Sequence, residues 1–407
     1  MGGLRVAIIG AGIGGLTAGI ALHRRGIDVA IYEKAHELRE LGAGVLIGAN
    51  GARVFDSLGL LDDLAAIAGK VSTMAMKTLG GEPLPGYRPA YPMDRTYPLH
   101  RAEFQRLLVS ALPPGTVRLG RECVGAIEDD DGVRIDFADG TQTRADLLVG
   151  ADGIHSVIQA AVGVETDPVS EGIMAYRGLI PAARLAGIYD MSVWSMWIGP
   201  GQTFLTYPVS AGAMLNVVAS VPTNLDIEES WSAPGDITEL AAAYTHWDKQ
   251  VRQVIATMDH TFRWGIYDRT PQHRWSTNRI TLLGDSAHAV TPNLGQGANQ
   301  AVEDAITLAV LLTHAHPADI PSRLRTYETL RIERNRQVHN GARVAGELYR
   351  STTLSPNQQS EGIVDLYDRL ELATYDAERV ALDVVERESI GKVVPMAIPV
   401  IHSGTGS

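Results

Sequence analysis

Cysteine is nearly absent from this chain of 407 residues, which contains only Cys123. A single thiol excludes an internal disulfide, a dithiol redox pair and a Cys-x-x-Cys zinc motif, and we predict no metal site. Scarce cysteine is also typical of proteins in a reducing compartment, so we expect a cytoplasmic protein.

Long apolar runs and grouped positive charge are lacking as well. The longest apolar run, around Ala305 to Leu312, is shorter than the roughly 18–20 residues that span a bilayer. The formal net charge of −12 argues against a broad nucleic-acid surface, because phosphate binding requires clustered Lys and Arg. A predicted strand starts at Leu4, which leaves no room for a secretory leader. We expect neither a membrane span nor a nucleic-acid partner.

A glycine-rich motif follows the first predicted strand, Leu4 to Ile9. The sequence Gly10-Ala11-Gly12-Ile13-Gly14-Gly15 matches G-x-G-x-x-G, and a predicted helix, Leu16 to Arg24, follows it. A second strand, Asp28 to Tyr32, ends at Glu33. This order is typical of a dinucleotide-binding β-α-β unit, in which glycines admit a pyrophosphate and the acidic residue binds ribose hydroxyls. The unit does not distinguish FAD from NAD, and the alternative is a turn that only packs helix on strand.

Two later segments repeat the pattern of a buried strand that ends in a polar, glycine-bearing turn. They are Ala145 to Val149 before Gly150-Ala151-Asp152-Gly153, and Arg279 to Leu283 before Gly284-Asp285-Ser286-Ala287-His288. The turn Gly295-Gln296-Gly297-Ala298-Asn299 then opens a predicted helix, Gln300 to Thr313. Asp285 at a strand end suits a polyol hydroxyl. The turn directs N–H groups and a positive helix end at an anionic ring, as in a reduced flavin.

A region rich in Val, Tyr and Trp runs from Gly172 to about Val221 and predicts an inserted antiparallel sheet. Its strands are predicted at Met174 to Pro181, Met191 to Ile198, Thr203 to Val209 and Met214 to Ser220. Helices are predicted at Ile237 to Met258, Ser322 to Tyr349 and Ser360 to Tyr375. Such a sheet can roof a small pocket at a domain interface.

In order and spacing, these segments resemble the single-component FAD-dependent aromatic hydroxylases. The likeness is greatest to the branch of salicylate hydroxylase, 3-hydroxybenzoate 6-hydroxylase and 6-hydroxynicotinate 3-monooxygenase. It covers the chain from Arg5 to about Tyr349. Smaller signatures add to it: Glu33-Lys34, Arg39-Glu40 with Gly42-Ala43-Gly44, His100-Arg101, Ala175-Tyr176-Arg177-Gly178 and Tyr207-Pro208.

The resemblance implies an α/β fold: a Rossmann-like FAD-binding domain, an inserted antiparallel β-sheet substrate domain and C-terminal helices. The domains are expected at residues 1–72, 99–171 and 264–340 for FAD, 73–98 and 172–263 for substrate, and 341–407 for a helical segment and tail. It implies a monooxygenase that uses NAD(P)H and O2 to hydroxylate a small phenolic or N-heterocyclic aromatic via a flavin C4a-hydroperoxide. A monomer or homodimer is expected.

The resemblance also assigns residues to FAD. The pyrophosphate is expected to contact Gly12, Ile13, Gly14 and Gly15, and the adenosine ribose is expected to contact Glu33 and Lys34. Arg101 is expected near the ribityl-phosphate region, the Val124 backbone at the adenine side, and Asp285 at ribityl or pyrophosphate oxygens. The amides of Ala298 and Asn299 are expected at the pyrimidine edge. Arg39, Val45, Asp152 and Gly297 complete the predicted set. An ion pair with an acidic neighbour is the alternative for Arg101, and His288 is interpreted as a hydrogen-bonding residue rather than an acid–base catalyst.

In the substrate pocket, the resemblance assigns the catalytic and substrate-contacting role to Tyr207. A phenol becomes a better nucleophile on losing its proton, so a hydrogen-bonding partner is expected there. The resemblance also implies that Pro292, the second predicted catalytic residue, borders the flavin C4a region, and we expect Thr203 and Leu46 to contact the substrate. The alternative for Tyr207 is an aromatic of the sheet core.

Three positions depart from the family pattern. Thr203 replaces a histidine of the 3-hydroxybenzoate and 6-hydroxynicotinate enzymes, and Leu46 replaces a second histidine of the pyridine enzyme. Both differences argue against those particular substrates. Gln159 stands where most relatives carry an arginine three residues after Ser156. That arginine handles the nicotinamide cofactor or makes a local salt bridge.

A second G-x-G-x-x-G motif is missing, since Gly199-Pro200-Gly201 lacks the third glycine. An enzyme with two resident dinucleotides is therefore not expected, and NAD(P)H must visit a shared cleft transiently. Two alternatives remain at this point: a flavin oxidoreductase that inserts no oxygen, and a flavin-binding protein without turnover.

Overall fold

Two main sheets, two smaller sheets of two and three strands, and a layer of helices make up the described part of the structure. The computed structural model describes residues 3–38, 44–164, 167–224 and 233–389. The predicted cofactor contact Arg39 and the predicted loose tail, Pro395 to Ser407, lie outside the described residues. The strands are β1 Arg5–Ile9, β2 Asp28–Tyr32, β3 Gly44–Ile47, β4 Thr73–Thr78, β5 Tyr97–His100, β6 Val117–Arg118, β7 Cys123–Asp129, β8 Gly132–Phe137, β9 Gln142–Ala145, β10 Leu147–Gly150, β11 Pro168–Pro181, β12 Val193–Gly199, β13 Gln202–Val209, β14 Met214–Pro222, β15 Ala233–Pro234, β16 Phe262–Arg269 and β17 Ile280–Leu282. The helices are α1 Ile13–His23, α2 Ala49–Ser57, α3 Leu61–Ile67, α4 Arg101–Ser110, α5 Ile158–Val162, α6 Ile237–Ala243, α7 Lys249–Ala256, α8 Asp285–His288, α9 Gly297–Leu312, α10 Ile320–Tyr349, α11 Pro356–Leu370 and α12 Ala377–Ser389.

The first sheet has five parallel strands in the order β17-β10-β1-β2-β6. β1 and β10 are almost wholly buried, and strands covered on both faces appear in sequence as continuous apolar runs. Parallel neighbours end at the same edge of a sheet, so Gly10, Glu33, Ala151 and Gly284 follow strand ends that lie side by side. The three separate motifs therefore meet at one edge.

Close packing around the first motif requires glycine. A Cβ on Gly10, where φ is +106°, would lie 2.2 Å from the carbonyl oxygen of Ala151. A Cβ on Gly15 would lie 2.1 Å from the carbonyl oxygen of Gly10, and one on Gly14 would lie 2.6 Å from the Leu283 side chain. Because no side chain fits at these points, α1 lies directly against the strand ends and close to α9.

The second sheet has seven strands in the order β15-β16-β11-β14-β13-β12-β4. Its pairs are antiparallel, as predicted, except for β4, which runs parallel to β12. A parallel pair needs a long connection rather than a hairpin, and β4 comes from a segment far earlier in the chain. The predicted α/β architecture with an inserted sheet is confirmed, with this one strand in a different direction.

Strand pairing runs across the predicted domain limits, and the division into domains stays a proposal. β11 pairs with β16 from Pro168 to Arg177, and β16 continues to Arg269. The limits at residues 171 and 263 therefore cut both strands. The limit at residue 340 falls inside α10, which continues to Tyr349.

The helices differ from prediction in three places. α11, Pro356–Leu370, begins and ends earlier than the helix predicted from Ser360 to Tyr375. The segment Ile237 to Met258 is two helices rather than one, because Asp248 begins α7 by accepting a hydrogen bond from the Gln250 N–H at 3.1 Å. α12 follows α11 and packs against α9. Among the described residues, no helix combines the length and the apolar character that a bilayer crossing requires.

Candidate active site

Two adjoining cavities open between the carboxyl edge of the parallel sheet and the inner face of the second sheet. One, here the outer cavity, has a volume of about 700 Å³. The other, here the inner cavity, has a volume of about 350 Å³. Their walls share Gly12, Ile13, Arg101, Ala151, Gly153 and Arg177. The two spaces therefore form one continuous groove.

The outer cavity is organised by backbone groups and a fixed carboxylate. Glu33 accepts hydrogen bonds from the N–H groups of Ala11 and Ala35, both at 2.9 Å. Each carboxylate oxygen keeps further acceptor capacity, and Lys34 lines the wall beside it. A Cβ on Gly12 would meet open space within 4 Å. The first N–H groups of α1, which have no acceptor inside the helix, therefore face a space that suits an anion.

Two arginines lie at the junction of the cavities. Arg101 is the first residue of α4 and lines both spaces. The Arg177 guanidinium lies 3.9 Å from the centre of the Trp264 ring. Burial lowers the pKa of Arg177 to about 10, so it remains positive at neutral pH. The junction thus combines positive charge with a helix N-terminus.

A second helix N-terminus faces the inner cavity. α9 begins at Gly297, and Gly297, Ala298 and Asp285 line this space. Asp285 follows Gly284, whose positive φ of 65° turns the chain sharply after β17. The close approach at Gly14 brings the N-termini of α1 and α9 to the same groove.

Asn299 serves the framework with its side chain. Its Oδ1 accepts from the Gly48 N–H at 3.0 Å, and its Nδ2 donates to the carbonyl oxygens of Leu46 and Gly295, both at 2.9 Å. These bonds tie β3 to the turn before α9. The predicted role of its backbone amide stays a prediction.

The remaining predicted pocket residues meet in the inner cavity. Tyr207, Thr203, Leu46, Val45 and Pro292 all line it. Burial raises the pKa of Tyr207 to about 12, although the positive charge of Arg177 lowers it in part. Much of the rest of the wall is apolar, with Met74, Trp194, Met196, Leu205 and Leu372, and it carries three more tyrosines, Tyr91, Tyr349 and Tyr367.

The Tyr207 ring packs against Gly44 of β3, a strand that lies outside the sheet of Tyr207. A Cβ on Gly44 would lie 2.5 Å from the Tyr207 ring and from its hydroxyl oxygen. The Gly44 N–H donates to Asn216 Oδ1 at 2.8 Å. The start of β3 is thereby packed against Tyr207 of β13 and hydrogen-bonded to Asn216 of β14, in the wall of the inner cavity.

Other predicted residues lie at or beyond the edge of the groove. Asp152 lines the outer cavity and accepts from the Val157 N–H at 2.8 Å and the Ser286 hydroxyl at 3.1 Å. Gly15 packs behind the motif. The Val124 side chain is 57% exposed, and the contact predicted for its backbone stays a prediction.

Comparison with known proteins decides the family. The FAD binding domain family matches residues 3–342. The chain is 38% identical over 358 residues to the 3-amino-4-hydroxybenzoate 2-monooxygenase of Streptomyces cremeus, covering 84% of this chain and 87% of that protein. It is 31% identical over 396 residues to the salicylate hydroxylase of Pseudomonas putida, covering 88% and 90%. The chain belongs to the FAD-dependent aromatic monooxygenases.

The fold of this monooxygenase agrees with a solved relative. The Klebsiella pneumoniae HpxO structure, complexed with FAD and uric acid, superposes with a TM-score of 0.76 at 28% identity, covering 94% of this chain and 96% of that one. The sequence prediction of a flavin enzyme of this family is confirmed. The groove fits FAD, since two helix N-termini, a fixed carboxylate and the open space at Gly12 line its length.

Gln159, one of the departures from the family pattern, has a defined contact in this monooxygenase. Its Nε2 donates to the Ser286 carbonyl oxygen at 2.7 Å. Gln159 therefore ties α5 to α8 through a neutral hydrogen bond. His288 likewise has a buried partner, with its Nε2 at 2.5 Å from Asp304 Oδ2, which agrees with its interpretation as a hydrogen-bonding residue.

Sequence reasoning missed two residues of the groove. Arg177 belongs to the signature Ala175-Tyr176-Arg177-Gly178, so the motif marked the position but gave it no role. Tyr91 lies in an irregular Pro-bearing loop between β4 and β5. No periodicity or motif there distinguishes a wall residue from a loop residue, and only the fold places Tyr91 in the inner cavity.

Proposed function

We propose that this monooxygenase uses NAD(P)H and O2 to hydroxylate a small phenolic or N-heterocyclic aromatic. The observation that carries the proposal is the continuity of the groove, whose outer cavity suits a dinucleotide and whose inner cavity is largely apolar. A flat apolar ring fits such a wall, and a few polar groups fix its orientation. The likeness to an aminohydroxybenzoate monooxygenase supports the same substrate class.

In this proposal, FAD lies along the groove with its pyrophosphate at the α1 N-terminus. Glu33 and Lys34 hold the adenosine ribose, Arg101 lies near the ribityl-phosphate region, and Asp285 binds ribityl or pyrophosphate oxygens. The first N–H groups of α9, at Gly297 and Ala298, face the pyrimidine edge, where their dipole favours negative charge. When bound, the flavin accepts hydride and activates oxygen, and the protein supplies position and electrostatics.

The protein's own part in the reaction is to orient the ring and to keep water away. A pKa of about 12 keeps Tyr207 protonated at neutral pH, so its hydroxyl acts as a hydrogen-bond donor to a phenolic oxygen rather than as a base. Pro292 and the apolar wall exclude water from the reacting face. Thr203 and Leu46 offer no imidazole, so a substrate that needs histidine to remove its proton is not expected.

The proposal has further parts that concern the cellular setting. NAD(P)H visits the groove transiently, because the sequence has one dinucleotide motif only. The protein acts in the cytoplasm as a monomer or homodimer. Cys123 is buried, and burial raises the pKa of its thiol to about 11. The thiol therefore forms little thiolate at neutral pH, which fits a structural role.

The test is a screen of NAD(P)H oxidation by FAD-loaded protein over phenols, aminobenzoates and hydroxyquinolines. Products are analysed by mass spectrometry after reaction under 18O2. We expect one labelled oxygen in the product and faster NAD(P)H oxidation when the aromatic is present. Oxidised products without label would support a flavin oxidoreductase instead, and flavin that NAD(P)H never bleaches would indicate a protein without turnover.

A further inference from the structure

Tyr91 is built into the inner cavity from the loop between β4 and β5. Its side chain is 6% exposed, and the residue lines the cavity. A Cβ on Gly48 would lie 3.0 Å from the Tyr91 ring, so glycine leaves the room that the ring occupies. The ring position is therefore fixed by the framework of α2 and β3.

The Tyr91 hydroxyl meets one buried amide. Gln296 Nε2 lies 2.5 Å from the hydroxyl oxygen, and Gln296 itself is buried just before α9. An amide has one end that donates and one that accepts. Which end faces Tyr91 decides whether the phenol gives its proton to the protein or keeps it for a ligand.

The orientation of the Gln296 amide follows from a buried hydrogen-bond network that starts at Arg331. Its guanidinium has only donors and is 0% exposed. It donates to Glu303 Oε2 at 2.7 Å and to Gln300 Oε1 at 2.9 Å. Since the oxygen of Gln300 faces Arg331, the NH2 group of Gln300 faces the other way. That group lies 3.0 Å from Gln296 Oε1.

Asn50 sets the same polarity independently. Its Nδ2 donates to Glu303 Oε1 at 2.6 Å, and a carboxylate of this ion pair can only accept. The same Nδ2 donates to Gln296 Oε1 at 3.0 Å. Two amide N–H groups thus converge on the oxygen of Gln296. Its NH2 group must therefore face Tyr91, and the Tyr91 oxygen accepts.

We propose that Tyr91 is a specificity-determining residue, whose hydroxyl donates its proton into the inner cavity to an acceptor atom of the substrate. The inference rests on the proposed function and refines its substrate class. The preferred aromatic carries a carbonyl, carboxylate or ring-nitrogen acceptor in addition to the group that Tyr207 contacts. A substrate with only a donor at that position leaves two donors opposed, which is costly in a buried site.

The setting of Tyr91 fits this role. Burial raises the pKa of Tyr91 far above its usual range, so the proton is retained at neutral pH. The hydroxyls of Tyr349 and Tyr367 lie 2.7 Å apart and bind each other, whereas the Tyr91 hydroxyl contacts a fixed amide donor. The buried network therefore keeps the Tyr91 proton from Gln296 and leaves it for another acceptor.

The experiment compares two probes of similar shape, 4-hydroxyacetophenone and 4-isopropylphenol, of which only the first has a carbonyl acceptor. Calorimetry gives the dissociation constant of each probe for the FAD-loaded protein. We expect the wild-type protein to bind the ketone more tightly than 4-isopropylphenol. In Tyr91→Phe, the ratio of the two dissociation constants should shrink about five- to tenfold. Tyr327→Phe is the matched control, because its buried hydroxyl donates to the Leu282 carbonyl and lies outside both cavities; its preference should match the wild type.

A second variant tests the polarity rather than the hydroxyl. Gln296→Glu keeps the shape but places an acceptor opposite Tyr91, so the phenol turns its proton away from the cavity. We expect this variant to lose the ketone preference although Tyr91 is still present.

An unchanged preference in Tyr91→Phe overturns the inference, and so does wild-type protein that binds neither probe or shows no preference. FAD uptake and 18O incorporation are scored separately on the wider screen. Failure of the Tyr91 inference can therefore be distinguished from failure of the proposed function.

Discussion

The two ends of the groove are built in different ways. The outer cavity is shaped by turns at the ends of neighbouring parallel strands, by helix N-termini and by glycines that admit no side chain. The inner cavity is shaped by side chains from β3, β13, the loop before β5 and the turn before α9, which come together only in the folded protein. One end depends on local backbone geometry and the other on long-range packing. Substitutions should therefore disturb the two ends in different ways.

The largest effect is expected from the network behind the inner cavity. Arg331→Met removes the cation between Glu303 and Asp304, which it contacts at 2.7 Å each. Two buried carboxylates then lose the guanidinium that balances their charge, and we expect the free energy of unfolding to fall by about 3–5 kcal/mol. Chemical denaturation measures the change. Arg336→Met on the same helix removes a largely exposed pair with Glu333 and should change stability little; equal losses in both variants would contradict the assignment of the network as a buried core element.

Two glycines of the outer cavity should separate folding from cofactor binding. In Gly15→Ala, the new Cβ would lie 2.1 Å from a carbonyl oxygen, and we expect a loss of about 3 kcal/mol in stability without FAD. In Gly12→Ala, the Cβ enters open space where the proposal puts the pyrophosphate, so FAD affinity should fall at least about tenfold.

Thermal melting of the apoprotein and titration with FAD measure both quantities. Gly125→Ala, where a Cβ also meets open space, serves as the control for alanine itself. Gly12→Ala protein that binds FAD as tightly as the wild type would remove the α1 N-terminus from the proposed pyrophosphate site.

The buried carboxylate behind the inner cavity should also give a pH signature. Burial raises the pKa of Asp304, but His288 and Arg331 outweigh it and hold the value at about 2, below the ordinary 3.8. A depressed pKa contributes stability that is present above about pH 4 and is lost as the pH falls toward 2. This contribution is about 2 kcal/mol. Unfolding free energies of the wild type and Asp304→Asn between pH 2 and 6 should converge at the acid end; parallel curves would show that Asp304 is not the group that titrates.

The smallest effect in free energy is expected at the inner cavity itself. Tyr207→Phe removes one hydroxyl and leaves the ring against Gly44. Coupled hydroxylation should fall about tenfold, while FAD content stays near that of the wild type. Product formed per NAD(P)H oxidised and the flavin absorbance of purified protein give the two numbers. An unchanged product yield and rate would remove Tyr207 from the mechanism.

The same contrast explains what the sequence could predict. Gly12, Glu33 and Asp285 follow apolar strands at fixed offsets, so their meeting at one sheet edge follows from the rules of parallel sheets. The position of Tyr207 in the inner cavity could be predicted because a family motif marks it, whereas its catalytic role stays a prediction. Tyr91 and the polarity imposed by Gln296 could not be predicted, since they depend on Arg331 and other residues far apart in sequence. The direction of β4 escaped as well, because nothing local to Thr73–Thr78 says which strand it will join.

The parallel pairing of β4 with β12 has a consequence for synthesis on the ribosome. The Thr73–Thr78 segment leaves the exit tunnel long before its partner, Val193–Gly199, is translated. At roughly 5–20 residues per second, this strand must wait on the order of ten seconds with its edge unpaired. Met74 takes its place in the wall of the inner cavity only after β12 has been synthesised. A nascent chain that ends before β12 therefore cannot form a complete inner cavity.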